Sequence, residues 1–221
     1  MSSPVDALKA HDDRARRAQK NIDKFKRLVA HNALVLKLEK SRAAKLGKGL
    51  VADGERSRAV RWALGAVGTV EHPPSSNKGP RITKWQELCN YPGGGVPWCQ
   101  CFAVNSLYFG SHNRIDPADI GGYTVSVVNR AKRHEIMGGR DGWSVVAFSK
   151  AKPGDWCYFD FDGTGIEHVG VFLSQTSDTV TCCEGNTSKG NGASQSNGGG
   201  VFVRTRPKHL VAAVVAVPFK D

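Results

Sequence analysis

The sequence predicts an α+β chain with helices first and strands second. Apolar residues recur at three- and four-residue steps up to about residue 133. From residue 144 onward, short apolar or alternating runs are separated by Gly, Asp, Asn and Ser. Helices that precede strands, rather than alternate with them, imply N-terminal helices packed on one antiparallel sheet. A third observation sets the N-terminus apart. Residues 1–50 hold 13 Lys/Arg against 5 Asp/Glu, whereas residues 51–221 hold 18 against 15. The chain therefore reads as a basic helical arm, 1–50, followed by a main domain, 51–221.

The elements follow in order. Residues 5–46 are rich in Ala, Lys, Leu and Arg, all helix formers, and Ile22, Phe25, Val29, Asn32 or Ala33, and Leu36 form a thin apolar stripe. This arm suits packing on a partner, on itself or on the main domain, or simply a solvated helix. "GKGLVADGE" (47–55) reads as a linker. Residues 57–67 form an amphipathic helix marked by Val60, Trp62 to Leu64 and Val67. "EHPPSSNKGP" (71–80) is a loop, because its prolines and glycine break any helix. Residues 81–90 form a short helix, and Pro97 introduces another over about 98–110. A weak helix follows around 125–133. The runs "WSVVAFSK", "GDWCYFDF", "HVGVFLS", "TVTCCEG", "GVFVRTR" and "LVAAVVAVPF" read as successive strands, the third and fourth as a hairpin. "NTSKGNGASQSNGGG" (186–200) is too polar and glycine-rich to pack, and reads as a loop beside a strand end.

Composition excludes several classes. No run of about 18 apolar residues exists, so no transmembrane helix is expected. The first residues lack the apolar core of a secretory signal peptide. Six cysteines in 221 residues are too sparse for a disulfide scaffold. C-x-C (99, 101) and C-C (182, 183) spacings do not make the knuckles of a structural zinc site. No metal is expected. "DFDGTG" (160–165) starts like a calcium loop, but its twelfth position is Val171, so a hairpin turn accounts for it better.

The stretch "PGGGVPWCQCF" (92–102) asks whether its cysteines are nucleophile, ligands or buried thiols. A cysteine nucleophile needs a stabilised thiolate, a base, and a group that orients the base. Cys99 falls at a helix start, where unpaired N–H groups favour an anion and can serve an oxyanion. Cys101 lies about 200° further round the helix, so the two cannot face the same cleft. Of seven histidines, His168 alone begins a clear strand, and Gly170 leaves room on the same face. In the next strand, a period of two places Cys182, Glu184 and Asn186 together. If the two strands pair, a carboxylate and an amide arrive beside the imidazole. Cys182 and Cys183 read as buried, inert thiols.

In this company the motifs become recognisable. "VPWCQCFA" resembles the Trp-Cys-x-x-Phe segment of CHAP domains, the cysteine, histidine-dependent amidohydrolase/peptidases. "GDWCYFDFDGTGIEHVGVFLS" is similar to their Gly-Asp strand and His-Val-Gly strand, and "EGNTS" to their Glu-Gly-Asn turn. "WALGAVGTVEHPPSSNKGPRITKWQ" resembles the lead-in of CHAP-type phage endolysins and bacterial wall hydrolases. The resemblance covers residues 56–219, about three-quarters of the chain, and excludes the arm. It implies a papain-like fold with Cys99 as nucleophile, His168 as general acid/base, and Glu184 as its orienting group. Asn186 would assist there or at the oxyanion. Trp98, beside Cys99, reads either as a cleft residue that contacts substrate or as a packing residue. The substrate implied is bacterial peptidoglycan, cut either between muramic acid and L-alanine or within the peptide or cross-bridge. No cofactor is implied, although some members of the family use calcium.

The expected setting is a phage endolysin that waits in the host cytoplasm for release, or a lysin carried on a virion with other phage proteins. No C-terminal wall-binding module is expected, which leaves residues 1–50 to attract anionic envelope polymers or lipids. Nucleic acid is not an expected partner, since the arm fits no named motif. The competing reading is a non-catalytic polyanion-binding or assembly protein that acts through the arm.

Overall fold

The structure is a computed structural model that describes residues 16–24, 26–27, 30, 33–34, 37–38, 40–41, 45, 54–136, 143–190, 194–195 and 197–220. The chain separates into two compact units, Met1–Leu38 and Glu39–Asp221. In the first, every described residue is helical and exposed, including Ile22 and Leu34. Phe25, Val29, Asn32 and Leu36 of the expected stripe, and most of the expected linker, lie outside the described residues.

The second unit is α+β. Helices α1 (Glu55–Gly65), α2 (Pro80–Leu88), α3 (Cys99–Gly110), α4 (Pro117–Ile120) and α5 (Thr124–Lys132) precede the strands. These are β1 (Ser144–Val145), β2 (Trp156–Phe159), β3 (His168–Gln175), β4 (Thr179–Thr187), β5 (Gly200–Pro207) and β6 (Val211–Ala216). They form one sheet in the order β1-β6-β2-β3-β4-β5, antiparallel at every pairing. The expected β3–β4 hairpin closes through Thr176, whose N–H donates to the Thr179 carbonyl at 2.9 Å. No helix among the described residues is long and apolar enough to cross a membrane.

α3 is the central helix. Its Cys101, Phe102, Ala103, Val104 and Leu107 are wholly buried, as a helix apolar on most faces must be. It packs against α1 on one side and β3 and β4 on the other. Alternation along the strands sends Val169, Val171 and Cys183 into this core, and Cys157, Phe172 and Cys182 into a smaller cluster on the opposite face. Charged ties hold α1 to distant parts of the chain. Arg56 donates to Asp155 at 2.9 Å, and Glu55 accepts from Arg114 and from the Lys220 N–H.

Two local expectations need correction. "WSVVAFSK" pairs as a strand only at Ser144 and Val145; residues 148–150 turn into a 3-10 helix. That departure lays Phe148 edge-on against Phe172, with ring centroids 6.2 Å apart, and covers the outer cluster. The α4 turn was not expected. It starts at Pro117, with Asp116 accepting from the Ala118 N–H at 2.9 Å, a local cap that "DPAD" encodes.

Candidate active site

Cys99 is the first residue of α3, and the capping residue Trp98 offers no side-chain hydrogen bond to the helix end. The first-turn N–H groups are thus left for an anion. Cys99 lines a cleft of about 440 Å³ together with Tyr91, Pro97, Tyr123, Ile166 and Glu167. It is 5% exposed, which suits a thiol reached only from the cleft. Cys101 does not line that cleft. It packs against Cys89 and lies beneath Gly122, where an added Cβ would come within 2.7 Å of its Sγ. The hydrogen bond to Cys89, reinforced by burial, pushes the Cys101 thiol well above the ordinary thiol range. Burial does the same to Cys182 and Cys183. These three are poor nucleophiles.

His168 opens β3 and is fully buried. Its Nε2 lies 3.1 Å from Glu184 Oε2 on β4. The other ring nitrogen, Nδ1, is buried with no hydrogen-bond partner among the described residues, and the Cys99 thiol interacts with the imidazole. Catalytic pairs are commonly loose in this way before substrate binds. Burial alone pulls the His168 pKa down. Interaction with the Cys99 thiol, together with the hydrogen bond and charge of Glu184, overturns that and holds it at about 9. The rings of Phe159 and Phe161 flank the imidazole, at 6.2 and 5.8 Å between centroids.

Glu184 is 0% exposed. Burial raises its pKa, but hydrogen bonds from His168 and Arg206 outweigh burial and hold it below the usual carboxylate range. Arg206, on β5, grips both oxygens: Nε donates to Oε1 at 3.0 Å and Nη2 to Oε2 at 2.6 Å. Arg206 also donates to Thr187 Oγ1 and Gln195 Oε1, and its guanidinium lies 4.8 Å over the Phe161 ring. A fork of this kind fixes the carboxylate in position and direction. Sequence reasoning missed Arg206. The signal was its place in "GVFVRTR", where alternation puts Arg204 and Arg206 on one face.

Two glycines make the assembly fit. A Cβ on Gly170 would meet Cys182 Cβ at 2.7 Å and Glu184 Cγ at 2.8 Å. A Cβ on Gly185 would meet Phe102 Cγ at 2.6 Å and Trp98 Cζ3 at 2.8 Å. The expected face-sharing of Cys182 and Glu184 over Gly170 is therefore present. Asn186 does not join them. Its φ of +56° turns the backbone, the β4–β5 register shifts there, and its Nδ2 donates to Asn197 Oδ1 at 3.2 Å. Of the two readings of Trp98, the structure shows the packing contacts. Trp98 is 0% exposed and is not among the residues that line the cleft. Its indole instead packs on Trp85 and donates to Glu71 Oε1 at 3.0 Å.

Asp160, Asp162 and Glu167 bring one carboxylate oxygen each within 4.8 Å of one another. Asp160 Oδ1, Asp162 Oδ1 and Glu167 Oε1 already accept backbone N–H groups of the turn. Calcium takes six to eight oxygens, of which these three carboxylates would supply part. No family model matches the chain, and no curated protein or solved structure does.

Proposed function

We propose that the chain is a peptidoglycan hydrolase with a CHAP-type, papain-like catalytic domain that cleaves an amide bond of the bacterial wall. The observation that carries this reading is the convergence of Cys99, His168 and Glu184. A thiol at a helix N-terminus opens on the cleft, a buried imidazole at a strand start interacts with that thiol, and a buried carboxylate from the neighbouring strand holds the imidazole. This is the nucleophile–base–orienter arrangement that acyl transfer needs.

In this reading Cys99 attacks the amide carbonyl after giving its proton to His168. The oxyanion develops within reach of the α3 N-terminal N–H groups. His168 then protonates the leaving amine, and water hydrolyses the thioester with His168 as base. Glu184 holds the imidazole by Nε2 and stabilises the imidazolium, leaving Nδ1 toward sulfur. The cut falls either between muramic acid and L-alanine or within the peptide. The basic arm supplies attraction to anionic wall polymers.

Clearing of purified cell walls from several species tests the proposal. Wild type is expected to clear at least one wall type, Cys99→Ala to lose at least ~10³-fold in rate, and Cys101→Ala to stay within a few-fold of wild type. Mass spectrometry of the fragments identifies the bond. Clearing by Cys99→Ala at the wild-type rate, or by no variant on any wall, sinks the reading.

A further inference from the structure

A second cavity, of about 230 Å³, is polar where the cysteine cleft is largely apolar, and it contains a carboxylate. Glu71, Asn77, Ser188, Ser194, Asn197 and Gly199 are among its lining residues. Glu71 is only 6% exposed. One of its oxygens, Oε1, accepts the Trp98 indole N–H. The other, Oε2, has no hydrogen bond or ion pair among the described residues, and it faces Gly199, where an added Cβ would sit 3.8 Å away.

A nearly buried carboxylate without a cation is costly unless something completes it. The surrounding hydroxyl and amide oxygens add acceptors rather than positive charge. Ser75 and Asn77, on the cavity rim, hold φ values of +59° and +54°, a conformation that non-glycine residues adopt at a cost and that clusters at binding sites. A hard divalent ion needs more negative charge than one carboxylate supplies. A primary ammonium, with three donors and one positive charge, matches one carboxylate ringed by neutral acceptors.

We propose that this cavity is a binding site for a primary ammonium group, held by Glu71 and reported to the catalytic helix through Trp98. Trp98 both donates to Glu71 and immediately precedes Cys99, so occupancy of the cavity acts on the residue that sets the nucleophile's position. If the hydrolase reading holds, and this step rests on it, the natural occupant is an unlinked amine of a wall peptide. The cavity then selects substrate peptides whose amine has not been cross-linked.

The binding claim is tested apart from hydrolysis, on full-length Cys99→Ala protein, by following the Trp98 indole N–H signal in ¹H–¹⁵N NMR. Titration with n-butylammonium is expected to shift that signal saturably, whereas n-butanol, of the same shape without the charge, leaves it unmoved. Glu71→Gln keeps an acceptor for the indole but removes the charge, and should weaken the ammonium response at least ~10-fold. Asn77→Asp adds a carboxylate to the same cavity and should tighten it. A Trp98 signal that ignores butylammonium, responds equally to butanol, or responds equally in Glu71→Gln and Asn77→Asp overturns the proposal. Wall clearing by the Cys99-intact protein is read separately, so failure of the hydrolase reading and failure of the ammonium site give different results.

Discussion

At the scale of single residues, the site is a chain of charge: Cys99, His168, Glu184 and Arg206 in contact order. Its pH behaviour follows from two opposite shifts. His168 is raised to about 9, so the stability its protonated form contributes is complete below the free-imidazole value of about 6.5. That contribution is lost as pH rises through about 9. Glu184 is depressed, so its contribution is present above the ordinary carboxylate range and is lost as pH falls through its lowered folded value. Wall clearing should therefore run on a plateau that ends in an alkaline limb near pH 9, where the imidazolium loses its proton. In Glu184→Gln the charge that helps raise His168 is gone, and the limb should move to lower pH along with a loss of rate. Initial clearing rates from pH 5 to pH 10 for both proteins check this. An alkaline limb that stays in place in Glu184→Gln would mean that Glu184 does not set the imidazole's charge.

At the scale of elements, the sequence made the β3–β4 pair legible because both strands alternate cleanly up to the site. His168, Gly170, Cys182 and Glu184 could be assigned to one face by counting in twos, and Cys99 to a helix start by the Pro97-Trp98 lead. Asn186 was misassigned because its positive φ ends the alternation, and a turn inside a strand leaves no mark on residue type beyond the tolerance of Asn for that conformation. Arg206 was overlooked because an arginine near a strand end ordinarily points to water. Only the tertiary packing of Phe161, Thr187 and Gln195 around it makes it buried. Gly170 carries the element-level prediction. Gly170→Ala forces a Cβ to within 2.8 Å of Glu184 Cγ and 2.7 Å of Cys182 Cβ, both in buried side chains. Overpacking of this kind costs about 1–3 kcal/mol. Thermal unfolding should report that loss, and clearing should fall further than stability alone explains, because the atom displaced belongs to the group that orients His168. A Gly170→Ala protein with wild-type melting and clearing would show that β4 does not press on β3 there.

At the scale of the whole molecule, composition already separates two kinds of chemistry. The described part of the second unit buries a site that depends on short, solvent-shielded contacts, and salt screens such contacts little. The first 50 residues carry most of the net charge, 13 Lys/Arg against 5 Asp/Glu, and their described residues are exposed. Attraction between exposed charges and a polyanion is screened over about 8 Å at physiological ionic strength. Binding and catalysis should therefore part company when salt is raised. Full-length Cys99→Ala protein is expected to sediment with intact walls at ~0.05 M NaCl and to release on the order of tenfold or more by ~0.5 M. Cleavage of soluble wall fragments by wild type, which needs only the cleft, should change by less than about twofold over the same range. The two measurements use the same chain and differ in one residue, so the comparison isolates the arm's contribution. Wall binding that ignores salt would assign retention to the cleft or the Glu71 cavity, and the basic arm would then need a different partner.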